Sequence, residues 1–244
     1  MLGLVLLLFV GVSSTYGALP SFIKVCSRSD PLPNECILDS LKTITPHLKD
    51  GIPELNVPTL EPLNLPPITI SRESNGPYLK VTLRNTTVYG ASNFIVTDLK
   101  SDLNTGYFQF NLTLPKLDVE GDFKIKLNLL LINYSGAGRI YINMTDYHAR
   151  MQIHGYKKVV DGIEYLQVKP IDMKIILGNN KIRLSGLFNN DQTLGTILSQ
   201  AVNDNARLFF QEFKPTLEQT LSNIFTEIAN GVLASASYEE LFPA

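Results

Sequence analysis

DQTLGTILSQAVNDNARLFFQEFKPTLEQTLSNIFTEIANGVLASA, residues Asp191 to Ala236, is the stretch whose reading decides the fold. Its apolar residues Leu194, Ile197, Leu198, Ala201, Val202, Phe209, Phe213, Leu217, Leu221, Ile224, Phe225, Ile228 and Val232 recur at spacings of three, four or sums of these. That is the period of a helix with one buried face. The pattern predicts one very long amphipathic helix, far beyond the ~11–12 residues of an average one, kinked midway by Pro215. Such a helix needs support along its whole length from the rest of the same chain.

That remainder reads as β-strand. Leu117, Val119, Gly121, Phe123, Ile125, Leu127, Leu129 and Leu131 alternate with Asp118, Glu120, Asp122, Lys124, Lys126 and Asn128, so one face is buried and the other wet. Phe108, Phe110, Leu112 and Leu114 alternate in the same way with Gln109, Asn111 and Thr113. Shorter two-residue periods run through Ile140 to Met144 and Ile171 to Leu177, and through Ile182 to Leu184 after a turn at Gly178-Asn179-Asn180. Tyr134-Ser135-Gly136-Ala137-Gly138 reads as another turn. Strands of this length joined by short polar turns predict an antiparallel sheet that twists and curls. With no repeat or linker in the chain, the expectation is one α+β domain.

The amino end carries a different kind of signal. Leu2 to Val12 is an apolar run of signal-peptide length, followed by small residues, with cleavage expected after Gly17 although no Lys or Arg precedes the run. Ser13, Ser14 and Thr15 end the run short of the ~18 residues a membrane span wants. Residues 1–17 are therefore read as signal peptide, 18–244 as the mature domain, and the protein as secreted and extracellular without stable membrane insertion. Cys26 and Cys36, the only two cysteines, fit an oxidising compartment and one disulfide; a metal site would need ligands that Asp30 and Glu35 alone do not supply. Ile37, Leu38, Leu41, Ile44 and Leu48 mark a short helix with Pro46 near its end, and the proline-rich run Pro53 to Pro67 reads as a surface wrap.

Sequons occur at Asn85, Asn111, Asn133 and Asn143, each an acceptor in a secreted protein if exposed. Asn111 shares the wet face with Gln109 and Thr113, whereas Asn85 lies in phase with Val81 and Leu83, which predicts burial unless a bulge shifts the register.

Catalytic chemistry finds little support. His47 suits a helix end, and His148 and His154, six residues apart, lie beyond shared metal reach; neither His-Glu-x-x-His nor Gly-x-Ser-x-Gly is present. No Gly-Lys-Ser/Thr phosphate loop appears, and a net charge of −2 with dispersed Lys and Arg argues against nucleic acid. The expectation is no enzyme, no metal and no cofactor.

Several blocks of the chain resemble the insect takeout and juvenile-hormone-binding protein family. They begin with Cys26-Ser27-Arg28-Ser29-Asp30 to Cys36-Ile37, then Pro46-His47-Leu48-Lys49-Asp50-Gly51-Ile52-Pro53-Glu54-Leu55 and Leu60-Glu61-Pro62-Leu63. Farther on come Leu187-Phe188-Asn189, Leu194-Gly195, Asn203-Asp204-Asn205, Glu212-Phe213-Lys214-Pro215 and Glu240-Leu241-Phe242-Pro243. The match spans nearly the whole mature chain. It departs where the family commonly has Trp, here Ala206, and in a glycine- and tyrosine-bearing strand, where Leu127 replaces Gly and Phe123 replaces Tyr. The resemblance implies a curved antiparallel sheet wrapped around the carboxyl-terminal helix, as in the tubular lipid-binding proteins, with an internal apolar tunnel. Leu198, Val202, Phe209, Phe213, Leu217, Leu221 and Phe225 from the helix, faced by Phe108, Phe110, Phe123, Leu129, Leu131 and Met144, are the expected lining. Each of them also suits plain core packing. Tyr134, Tyr141 and Tyr147 are candidates to bond a ligand's polar end, with Tyr141 placed among the site residues.

The implied function is a monomeric extracellular carrier for a small non-covalent hydrophobic ligand: an isoprenoid such as juvenile hormone, a carotenoid or other terpenoid, or a fatty acid. A cell-surface receptor is a further candidate partner. The competing readings are a membrane-surface or lipopolysaccharide-binding protein of the same superfamily, which would want a basic tip, and a secreted hydrolase.

Overall fold

Two strands of unusual length form the spine, β5 at Tyr107–Leu129 and β6 at Ile132–Val160, paired antiparallel from Tyr107 opposite His154 to Leu129 opposite Ile132. The computed structural model describes residues 19–244 apart from 74–77, 130–131, 187–192, 194–195, 198–199, 201–202 and 205. The expected signal peptide, residues 1–17, lies outside them. Strand β3 (Tyr78–Tyr89) pairs with β5, and β1 (Leu63–Leu65) and β2 (Ile68–Glu73) pair with β3. Strand β4 (Ile95–Asp102) lies along the first part of β5. On the other side β7 (Ile163–Val168), β8 (Asp172–Ile176) and β9 (Asn179–Ser185) take successive portions of β6, completing a nine-stranded antiparallel sheet.

The sheet curls because its strands change face together. In β5 the inward residues run Phe108, Phe110, Leu112, Leu114 and then step by three to Leu117 and Val119; in β6 they run Ile140, Ile142, Met144 and then step by three to Tyr147 and Ala149. The two steps meet, since Leu114 pairs with Tyr147 and Lys116 with Thr145. Asp146 takes φ 56° there; Asn85 in β3 takes 49° and Asp98 in β4 takes 53°, each at a register shift in its strand. Asn and Asp enter the left-handed region more readily than other side-chain-bearing residues. The extra residue at Asn85 and at Asp98 bends its strand and increases the local twist, whereas β5 and β6 change face together at Asp146 with their register unbroken. The expectation for Asn85 resolves accordingly: the bulge turns it outward, where its amide donates to Asp122 at 2.8 Å.

Two expected turns are not turns. Gly136 and Gly138 lie inside β6, opposite Ile125 and Phe123, and a Cβ on Gly138 would sit 1.9 Å from the carbonyl oxygen of Ser185. Glycine is needed there so that β9 can approach, which reads in sequence like a loop signal. Asn179 and Asn180 likewise begin β9. The Pro53–Pro67 run does more than wrap the surface, because it contributes a 3-10 turn at Pro53–Leu55, the edge strand β1, and the buried Leu55 and Leu63.

The carboxyl-terminal helix α2 is continuous over Ala206–Leu233 and passes through Pro215 without ending; upstream, Thr193, Thr196, Ile197, Gln200, Asn203 and Asp204 are also helical. Its end falls at Leu233, short of the expected Ala236. It is held to the sheet by a second stripe, polar, at every fourth residue. Ile175 N–H donates to Glu218 Oε1 (2.7 Å), Ser222 Oγ donates to the Ile171 carbonyl (2.5 Å), Ile171 N–H donates to Thr226 Oγ1 (3.0 Å), and Val168 N–H donates to Asn230 Oδ1 (2.8 Å). Asn230 Nδ2 returns a bond to the Val168 carbonyl, and upstream Asn203 exchanges the same pair of bonds with Ile182. These side chains stand where a neighbouring strand would otherwise pair the backbone of β7 to β9.

Helix α1 (Pro33–Leu48) runs on through Pro46 and is tied by the Cys26–Cys36 disulfide, Cα to Cα 5.9 Å, to the segment before it. The short helix α3 (Tyr238–Leu241) opens with a capping box between Ser237 and Glu240. Tyr238 of α3 is 1% exposed and donates to the Leu103 carbonyl at 2.6 Å, while Arg28 N–H donates to the Pro243 carbonyl at 2.7 Å. The two chain ends thus close one end of the molecule together. Replacing both cysteines by Ser is expected to cost on the order of 2–3 kcal/mol from the loss of loop constraint; reducing and non-reducing thermal melts check it.

Candidate ligand cavity

The concave face of the sheet does not collapse onto α2. Between them lies a cavity of about 1450 Å³, above the ~300–1,000 Å³ usual for small-molecule pockets. From the helix, Phe213, Leu217, Leu221 and Phe225 line it, and from the strands Phe108, Phe110, Phe123 and Met144. The periodicity that buries a helix therefore supplies the wall of a hollow here rather than a filled core. Leu198, Val202 and Leu131 fall outside the described residues, as do the side chains of Phe209, Leu129, Tyr134 and Asn133.

Tyr141 belongs elsewhere. It alternates with Ile140 and Ile142, which face inward, so it stands on the outer surface with the guanidinium of Arg183 4.7 Å from its ring centroid and that of Arg139 at 5.5 Å. Among the described residues Tyr147 is the tyrosine that reaches the cavity, because the step at Asp146 reverses the alternation between positions 141 and 147. Its hydroxyl donates to Asn180 Oδ1, and burial pushes the phenol up to about 12 against the opposing effect of that bond, so it stays neutral at physiological pH.

Much of the lining lies outside the expected set, and three of those contributions bear on how the cavity is closed and what it holds. Ile37 and Leu41 come from α1 and Phe242 from the tail after α3, whose ring lies 6.3 Å from that of Phe108. The apolar stripe of α1 and the Leu241-Phe242-Pro243 ending were both visible in sequence. Their closure over the far end of a sheet was not, since that is a long-range contact. The third is Thr86, taken up below.

Among the described residues the lining holds no Lys, Arg, Asp or Glu. The three histidines are engaged otherwise: His47 stacks on Phe22 with centroids 3.8 Å apart, His148 Nδ1 lies 2.9 Å from Thr113 Oγ1, and His154 packs on Tyr107 at 5.1 Å. Asn111 and Asn143 sit on the outer face, donating to Asp98 at 2.7 Å and to Asp118 at 2.6 Å.

One acidic group acts beside the cavity. The Glu61 carboxylate accepts from Gly90 N–H (2.9 Å), Ser92 N–H (2.9 Å) and Ser92 Oγ (2.8 Å), clamping the segment that carries Leu60 to the turn that carries Ala91, both of which line the hollow. Burial works against its charge, but the bonds from Gly90 and Ser92 outweigh that and hold its pKa below the ordinary glutamate value. A depressed folded-state pKa means stability present above the ordinary value and lost as pH falls through the folded one. Glu61→Gln is expected to cost about 1–2 kcal/mol at neutral pH and to flatten the acid limb of stability; urea melts across pH 3 to 7 are expected to show this, roughly spanning the carboxylate range.

Known proteins with the same organisation now bear on this geometry. The chain is 26% identical over 231 residues to "Circadian clock-controlled protein daywake" of Drosophila melanogaster, covering 91% of this chain and 88% of that protein. It is 25% identical over 224 residues to "Putative beta-carotene-binding protein" of Schistocerca gregaria, with the same coverage of 91% and 88%. Its fold matches the crystal structure of Epiphyas postvittana Takeout 1 with a TM-score of 0.72 at 20% identity, over 91% of this chain and all of that one. The family model described as haemolymph juvenile hormone binding protein (JHBP) matches residues 4–243. The chain belongs to that family, one of binding proteins rather than enzymes.

Proposed function

We propose that the protein is a secreted carrier that holds one small hydrophobic ligand between α2 and the curved sheet and releases it unchanged. The observation that carries this reading is the cavity of about 1450 Å³ walled by apolar side chains from both elements. An empty apolar hollow of this size forgoes packing, and a ligand within it removes its own apolar surface from water at roughly 25 cal/mol per Å². Phe108, Phe110, Phe123, Met144, Phe213, Leu217, Leu221 and Phe225 are the proposed contacts. Juvenile-hormone-like isoprenoids, carotenoids, other terpenoids and fatty acids are the candidate cargo.

Secretion is supported by the apolar leader at Leu2 to Val12, by the Cys26–Cys36 disulfide, and by the haemolymph origin named in the family description. Residues 1–17 are proposed as the cleaved leader and 18–244 as the mature monomer, with glycans at the exposed sequons. Titration of the purified mature chain with an environment-sensitive lipophilic dye, followed by displacement with a terpenoid, carotenoid and fatty-acid panel, tests the reading. Saturable binding with displacement by at least one class is expected; no dye uptake by folded protein would refute it.

A further inference from the structure

The bulge in β3 puts a hydroxyl where an apolar side chain would be expected. Inward residues of β3 run Val81 and Leu83, then, after Asn85 turns out at φ 49°, Thr86 and Val88. Thr86 is 3% exposed, it lines the cavity, and its Oγ1 is buried without a hydrogen-bond partner. The space beside it is kept by Gly121, where a Cβ would lie 3.1 Å from that oxygen. An unpaired buried hydroxyl is costly. No bond fixes the hydroxyl, and the residue that carries it lines the hollow, so a partner there is free to engage it. The other polar groups of the lining are already engaged, Tyr147 with Asn180 and His148 with Thr113.

Resting on the carrier reading, we infer that Thr86 is the polar anchor of the cavity and selects neutral lipophiles bearing an oxygen, such as an alcohol, ketone, ester or epoxide. A ligand oxygen placed there gains a hydrogen bond and relieves the orphaned hydroxyl at once. An ionised carboxylate can accept the same bond but loses the hydration of its charge, and among the described residues no Lys or Arg lines the cavity to offset that loss. A pure hydrocarbon leaves Thr86 unpaired. The anchor therefore ranks neutral oxygenated terpenoids above both carotenes and fatty-acid anions.

The test is a cycle with retinol and anhydroretinol, which share a carbon skeleton, anhydroretinol having lost the hydroxyl as water with a shift of its double bonds, on wild type, T86V and T86S. T86V is expected to weaken retinol about tenfold more than it changes anhydroretinol, as one buried hydrogen bond implies, while T86S keeps the wild-type preference. Retinoate is expected to bind more weakly than retinol to wild type. Equal effects of T86V on both polyenes, or failure of dye-binding wild type to take up retinol, would overturn the anchor while leaving the carrier intact; failure of folded wild type to take up the dye and either polyene would overturn the carrier and the anchor with it. Where circular dichroism shows T86V unfolded, T86A runs the same cycle under the same criteria.

Discussion

Phe213→Asp is expected to abolish capture of lipophiles, weakening a dye or terpenoid probe by at least ~100-fold, because a carboxylate in an apolar wall must be dehydrated or neutralised before hydrocarbon can lie against it. Phe213 faces the hollow from α2, one turn before Leu217. In the ligand-free protein the same carboxylate has the cavity itself as a place for water, so the fold is expected to survive. Circular dichroism and gel filtration check that, and Phe213→Met, which keeps an apolar side chain, is expected to bind within about threefold of wild type. Unchanged affinity in folded Phe213→Asp protein would remove the helix stripe from the ligand wall.

The second large effect concerns how the hollow is kept open without the helix drifting off the sheet. Ser222→Ala together with Asn230→Ala strips the partners from the Ile171 carbonyl and from both backbone groups of Val168. Each loss leaves buried or half-buried backbone unsatisfied at about 1–3 kcal/mol, and the sites engage different residues, so the double variant is expected to lose on the order of 3–5 kcal/mol. For a chain of this size that corresponds to a melting point lower by roughly 6–20 °C. Ligand dissociation should quicken in the same variant, since the edge of β7 and β8 and the helix that covers it form one wall of the cavity. Thermal melts with a stopped-flow dye-release assay measure both, and a double variant as stable as wild type would show that the apolar contacts alone hold α2.

These two predictions rest on features of unequal visibility in the sequence. The apolar stripe from Phe213 to Phe225 was plain, because helical periodicity is a local property. The polar stripe of Glu218, Ser222, Thr226 and Asn230 was equally regular but reads as solvent-facing until a strand edge is known to lie against it. The alternation in β5 and β6 announced a long sheet, while the steps at Asp98 and Asp146 passed unmarked and the one at Asn85 entered only as the alternative to burial, since a single Asn or Asp inside a strand pattern does not say whether the chain will bulge. Those steps decide the site. They put Tyr147 inward and Tyr141 outward, turn Asn85 to solvent, and bring Thr86 into a largely apolar wall. The closure of the cavity by Ile37, Leu41 and Phe242 joins chain ends some two hundred residues apart in sequence, beyond the reach of any local pattern.

The most direct measurement is organic extraction and mass spectrometry of the protein purified from its native secretion, with an absorbance spectrum taken first. A near-stoichiometric neutral lipophile, coloured if it is a carotenoid, is the expected result. Protein that arrives empty and then fails to take up any member of a terpenoid, carotenoid and fatty-acid panel would contradict the carrier account.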